Sequence, residues 1–121
     1  MKRAAYKVVP RVTFVYPEVA SVGITPQEAT NQGKKFSIAA FPVGALSRSV
    51  TEEERRGIVK LIVDKKTRKI LGGHILAPRA GEMIHEVALA MQNNLRIDDI
   101  THLMHAFPTY SEAVAAAASR L

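Results

Sequence analysis

The stretch GIVKLIVDKKTRKILGGHILAP, Gly57–Pro78, decides the fold class. Two runs rich in Ile, Val and Leu flank Asp64, Lys65, Lys66 and Thr67, which supply turn residues. This arrangement predicts an antiparallel hairpin. Gly72-Gly73 interrupts the second run, and glycine inside a strand marks a bulge or a close backbone approach. Upstream, RVTFVY (Arg11–Tyr16) reads as a strand ended by Pro17. TPQEATNQG predicts a short helix from Pro26 to Gln32, with Thr25 as cap, Glu28 completing a capping box and Gly33 as stop. KKFSIAAFPV reads as a second strand, apolar at Phe36, Ile38 and Ala40 and less regularly at Phe41 and Val43. SRSVTEEERRG is polar and reads as a loop with at most a turn of helix.

Downstream, AGEMIHEVALAMQNN predicts the longest helix, Ala80 to Asn94. Ile84, Val87, Ala88, Met91 and Leu95 form one apolar stripe at helical spacing. Met83 and Ala90 widen the stripe, so the helix is expected to pack on two fronts, a sheet and a partner subunit. Asp98 is expected to cap a short helix running to about Met104. The alanine-rich SEAVAAAASRL favours a final helix. The order is β-α-β-β-β-α-α-α, which indicates an α+β fold with a largely antiparallel sheet packed with helices. A single domain over residues 1–121 is expected, without repeat or linker.

Composition narrows the function. Hydrophobic residues make up 47% and charged residues 23%, as in globular proteins. No apolar run approaches the ~18 residues that span a bilayer, so no membrane partner is expected. The chain has no cysteine, which removes disulfides and thiolate chemistry. MKRAAYKVVP has basic residues without a following apolar core, so a cytoplasmic location is expected. The net charge is +6, but the pairs Lys34-Lys35, Arg55-Arg56, Lys65-Lys66 and Arg68-Lys69 are scattered, and specific nucleic-acid binding is not expected.

The candidate chemistry lies in HAFPTYSEAV, His105–Val114. Glu112 follows Thr109 by three residues, the spacing of a capping box. The functional alternative is a carboxylate that orients a histidine for acid–base work. His102 and His105 are three apart and could share a helix face, but no third metal ligand is evident. His74 in a strand and His85 in the long helix read as packed or solvent-facing. Pro108 follows an aromatic residue, which raises the chance of a cis bond. No glycine-rich phosphate loop is present.

Three segments, VPRVTFVYPEVASVGIT, GIVKLIVDKKTRKILGGHILAPRAGEMIHEVALAMQNN and HAFPTYSEAV, resemble one family. It is the C-terminal dimerisation domain of FAD-dependent pyridine nucleotide–disulfide oxidoreductases, the lipoamide dehydrogenase, glutathione reductase and mercuric reductase group. The resemblance covers about Tyr6 to Val114 in the right order. It implies a homodimer formed through the Ala80–Asn94 helix. It also implies upstream domains carrying FAD and NAD(P)H, with no cofactor in this chain. The C-terminal signature would complete the partner subunit's active site, placing Phe107 and Pro108 beside the partner's flavin. In lipoamide dehydrogenase-like members a histidine base precedes the signature proline; here that position is Phe107. His105 and Glu112 are then the candidate acid–base residues. Mercuric reductases also place phenylalanine there, but follow the proline with tyrosine, where this chain has Thr109, and end in a cysteine pair this chain lacks. A freestanding small protein-binding module without redox activity is the alternative reading.

Overall fold

The hairpin forms as its sequence predicts, and its two glycines explain why it can sit at the centre of the sheet. The computed structural model describes residues 8–121. It contains β1 (Arg11–Thr13), β2 (Glu18–Gly23), α1 (Pro26–Asn31), β3 (Phe36–Pro42), a 3-10 turn (Val43–Ala45), α2 (Ser47–Thr51), β4 (Ile58–Asp64), β5 (Ile70–Ala77), α3 (Ala80–Gln92), α4 (Ile97–His102) and α5 (Glu112–Ala118). Five strands make one sheet in the order β1-β2-β5-β4-β3, with every neighbouring pair antiparallel. The fold is therefore α+β. The N-terminal MKRAAYK and Tyr6, the start of the resemblance, lie outside the described residues.

β5 is flanked by strands on both edges, and α3 packs across β5 and β2. A Cβ on Gly73 would come within 2.7 Å of Val87 Cγ1 on α3. A Cβ on Gly72 would overlap the Ile24 carbonyl oxygen. Successive strand residues face opposite sides. The glycine pair thus admits the helix on one face and the exit of β2 on the other. A register shift between Ile62 and Val63 lies opposite, so the expected irregularity is also present. Val59, Leu61, Ile75, Ile84, Val87 and Val114 are fully buried between sheet and helices. Each such side chain contributes about 1.5–3 kcal/mol relative to exposure.

The β4–β5 turn is built by Asp64, whose Oδ1 accepts from the amides of Lys66 (2.9 Å) and Thr67 (2.8 Å). Arg68 takes the left-handed conformation there. His74 is half-buried beside β2. Its Nε2 meets the Ile24 carbonyl at 2.9 Å and its Nδ1 the Ser21 hydroxyl at 3.0 Å. A carbonyl only accepts, so Nε2–H donates to it, and Nδ1 shares a hydrogen bond with the Ser21 hydroxyl.

Several expectations are corrected. The first strand ends at Thr13, and Phe14, Val15 and Tyr16 form an exposed turn before the cis Tyr16–Pro17 bond. A further strand, β2, follows at once. Its inward positions Ala20 and Val22 are fully buried, but small residues weaken the alternation that would announce it. β3 has the opposite phase from the one its larger side chains suggest: Ala39 is buried while Ile38 is 45% exposed. The cause is register. Ala39 pairs with the core residue Leu61, and paired residues share a face. α2, five residues long, is the turn of helix allowed within the expected loop, and the buried Ser49 hydroxyl holds it by donating to the Val43 carbonyl at 2.7 Å. α3 ends at Gln92, with Asn94 left-handed beyond it. α4 is not capped by Asp98. The Asp99 carboxylate accepts from the Arg96 amide at 2.8 Å, and Asp98 instead receives two bonds of 2.9 Å from Arg68.

Candidate functional site

α4 stops at His102, so His102 and His105 do not share a helix face. Among the described residues no group of three His, Cys, Asp or Glu side chains gathers to hold a metal. The chain between α4 and α5 turns through the cis Phe107–Pro108 bond. Three elements hold this corner, and each uses a side chain whose local geometry suits the task.

The first tether comes from α3. His105 Nε2 lies 2.6 Å from Glu86 Oε2, while Nδ1 lies 3.0 Å from the Leu103 carbonyl. The carbonyl can only accept, so Nδ1 carries a proton. At 2.6 Å the Nε2 of His105 and the Glu86 carboxylate are within hydrogen-bonding distance. Both side chains are largely buried, at 9% and 22% exposure. Neither ring nitrogen is left open to a substrate.

The second tether is Arg48 of α2. Its Nη1 donates to the Pro108 carbonyl at 3.4 Å, its Nε pairs with Glu52 at 2.9 Å, and its guanidinium lies 5.7 Å from the centre of the Tyr110 ring. Burial pushes the Tyr110 phenol up, and the Glu52 carboxylate adds to the shift. The third tether is Glu112, which opens α5. Its Oε2 accepts from the Thr109 amide at 2.9 Å, the backward half of the expected capping box. The Thr109 hydroxyl bonds the Ala106 carbonyl at 2.7 Å instead of completing the box. The carboxylate that His105 meets is thus Glu86, not Glu112.

These bonds leave the apolar side chains outside. Phe107 is 72% exposed, with Met104 and Leu103 also exposed beside it in sequence. Leu89 stands out from α3, and Phe14 approaches the start of α3 at Gly81. Large apolar side chains are thus exposed on the Phe14–Tyr16 turn, on α3 and on the segment after α4. The stripe that widens α3 is meanwhile used inside the fold. Met83, Ile84, Val87, Ala88 and Ala90 are all buried, and Leu89 is the large apolar residue facing out.

Glu86 and Arg48 are the corner-holding residues that sequence reasoning misses. They reach the corner from 19 and 60 positions away, and no local spacing announces either. Among the described residues no helix is long and apolar enough to cross a membrane.

A family model described as "Pyridine nucleotide-disulphide oxidoreductase, dimerisation domain" matches residues 9–118. Dihydrolipoyl dehydrogenase 2, mitochondrial, of Arabidopsis thaliana is 45% identical over 113 residues, covering 93% of this chain and 22% of the relative. Leghemoglobin reductase of Glycine max is 47% identical over the same share of this chain and 22% of its own. Among solved structures, the HOCl-induced flavoprotein disulfide reductase RclA from Escherichia coli matches with a TM-score of 0.90 at 31% identity, over 93% of this chain and 26% of that one. The chain therefore spans about a fifth of the curated relatives it matches and a quarter of that structure. The expected cytoplasmic location is corrected. Relatives from Arabidopsis thaliana, Pisum sativum and Schizosaccharomyces pombe are named as mitochondrial dihydrolipoyl dehydrogenases, against that expectation.

Proposed function

Because the chain belongs to the dimerisation-domain family of pyridine nucleotide-disulphide oxidoreductases, we propose that it pairs with a second copy of itself and carries the Phe107–Pro108 corner to the partner's flavin. The observation that carries this reading is the corner itself: an exposed phenylalanine on a segment tied to α2, α3 and α5. A side chain left in water on so well-fixed a support is suited to docking. The mating face would comprise the outer side of α3 at Leu89, the Phe14–Tyr16 turn and the Leu103–Phe107 segment. The helix expected to form the dimer thus contributes its outer residues, since its apolar stripe is occupied by its own sheet.

FAD and NAD(P)H would be held by the remaining parts of the parent protein. Among the described residues every strand pair is antiparallel, whereas a dinucleotide fold needs parallel βαβ units. Phe107 and Pro108 fit a flavin's surroundings as apolar walls. FAD, when bound, relays electrons from the nicotinamide to the acceptor.

The acid–base roles of His105 and Glu112 receive a different assignment. Phe107 has no titratable group. Both His105 nitrogens are engaged, and Glu112 is bonded to a backbone amide. We assign His105 and Glu112 as positioning residues that hold the corner, while Phe107 shapes the site and excludes water. The parent would be dihydrolipoyl dehydrogenase-like in scaffold, with an electron acceptor other than lipoamide, because proton exchange with a dithiol has no base at this position. A mercuric reductase-like acceptor site is the narrower version of the same idea.

Sedimentation equilibrium of the chain tests the pairing. A concentration-dependent dimer, weakened by Leu89→Asp, is expected; a strict monomer at the highest soluble concentration counts against it. Titration with FAD should show no tight stoichiometric binding, and such binding would contradict the assignment of the flavin to other parts of the parent.

A further inference from the structure

Lysines scattered in the sequence gather at one end of the sheet. The Lys65 amide donates to the Lys35 carbonyl at 3.1 Å, bringing the β4–β5 turn beside the connection from α1 to β3. Lys34 and Lys69 border a cleft of about 490 Å³ between α3, β2 and β5. That size falls within the range of small-molecule sites, about 300–1,000 Å³. Its walls include Ile24, Leu71 and Met91, all half-buried. Two exposed cations thus stand over an apolar trough.

The neighbouring acceptors are already committed. Neither lysine forms an ion pair among the described residues. Asp64, which feels the field of Lys34, accepts from the Lys66 and Thr67 amides. Asp98 is held by Arg68. The end of α3 would disfavour an anion if its carbonyls were bare. However, the carbonyls of Leu89, Ala90 and Met91 each accept an amide, from Asn93, Leu95 and Asn94.

We propose that this cleft binds a small aliphatic carboxylate, its head between Lys34 and Lys69 and its chain along Ile24, Leu71 and Met91. The match is one of charge and surface. A short anion without a tail leaves the trough empty, and an uncharged tail leaves the lysines unused. The proposal stands apart from the dimer and its corner, since none of these residues belongs to that face.

Octanoate is the probe, titrated into isotope-labelled chain below its micelle concentration. Saturable shifts are expected at the Gly23 and Leu71 amides and the Met91 methyl. Octanol and acetate should produce none at the same concentrations. Lys34 and Lys69 are exposed, so Lys34→Gln/Lys69→Gln should fold normally. Two exposed ion pairs lost together should weaken octanoate by about tenfold. Absence of saturable shifts overturns the proposal, as does octanoate binding that the double variant leaves unchanged. Octanol binding equally well would show a merely greasy cleft and would overturn it too. A stronger, salt-sensitive response of the same residues to duplex DNA would show a polyanion surface, with the same consequence.

Discussion

Gly73 and Gly72 test the fold at the scale of single residues, because each is small for a different reason. A methyl at Gly73 meets the Val87 side chain, which can shift; a methyl at Gly72 meets the Ile24 backbone carbonyl, which cannot easily do so. Overpacking of the first kind costs about 1–3 kcal/mol. Gly73→Ala should therefore lower the urea midpoint moderately, and Gly72→Ala should lower it further. Equal midpoints for the two variants would contradict the packing described. Glu86→Ala removes the partner of a largely buried imidazole, a loss of about 1–3 kcal/mol. Hydrogen exchange in that variant should quicken between Leu103 and Thr109, and unchanged exchange there would remove Glu86 from the corner. The glycine pair is legible in sequence, since glycine inside an apolar run has few other causes. Glu86 is not legible: its pairing with His105 exists only once α3 and the segment after α4 have docked.

Secondary-structure elements follow the same division. The β4–β5 hairpin, α1 with its Thr25 cap, α3 and α5 are readable because strong periodicity or capping chemistry marks them. β2 escapes notice because Ala20, Ser21 and Gly23 carry little hydrophobic signal, though Ala20 and Val22 are completely buried. The phase of β3 is set by its partner strand, so Ile38 is turned outward against its own hydropathy. The α4 start is a further case. Asp98 looks like a cap but links α4 to the hairpin turn through Arg68, whose hydrogen bonds hold the carboxyl below its ordinary value. A lowered folded value means the link stabilises fully above the ordinary carboxylate range, near pH ~4, and fades as pH falls through the folded value. Asp98→Asn should therefore flatten the loss of stability below about pH 4, read as urea midpoints against pH. An unaltered acid limb would show that the link contributes nothing.

At the scale of the whole molecule, the family was legible before the structure because PEVASVG, ILGGHILAPRAGEMIHE and PTYSEA stand in order along nearly the full chain. The surface proposed for pairing is only half legible. Its helix is evident from periodicity, but the residues left facing outward depend on which side the sheet covers. Burial reduces the helix's own apolar contribution to Leu89 and shifts weight onto Phe14, Met104 and Phe107. The most direct test mixes two forms of the chain: one isotope-labelled, the other unlabelled and carrying a spin label at Met104→Cys. If the domain pairs as proposed, amides on the outer side of α3 and around Phe14 and Phe107 of the labelled chain broaden as the mixture is concentrated. Absence of broadening at every concentration, or broadening confined to β3 and α5, would contradict the proposed interface.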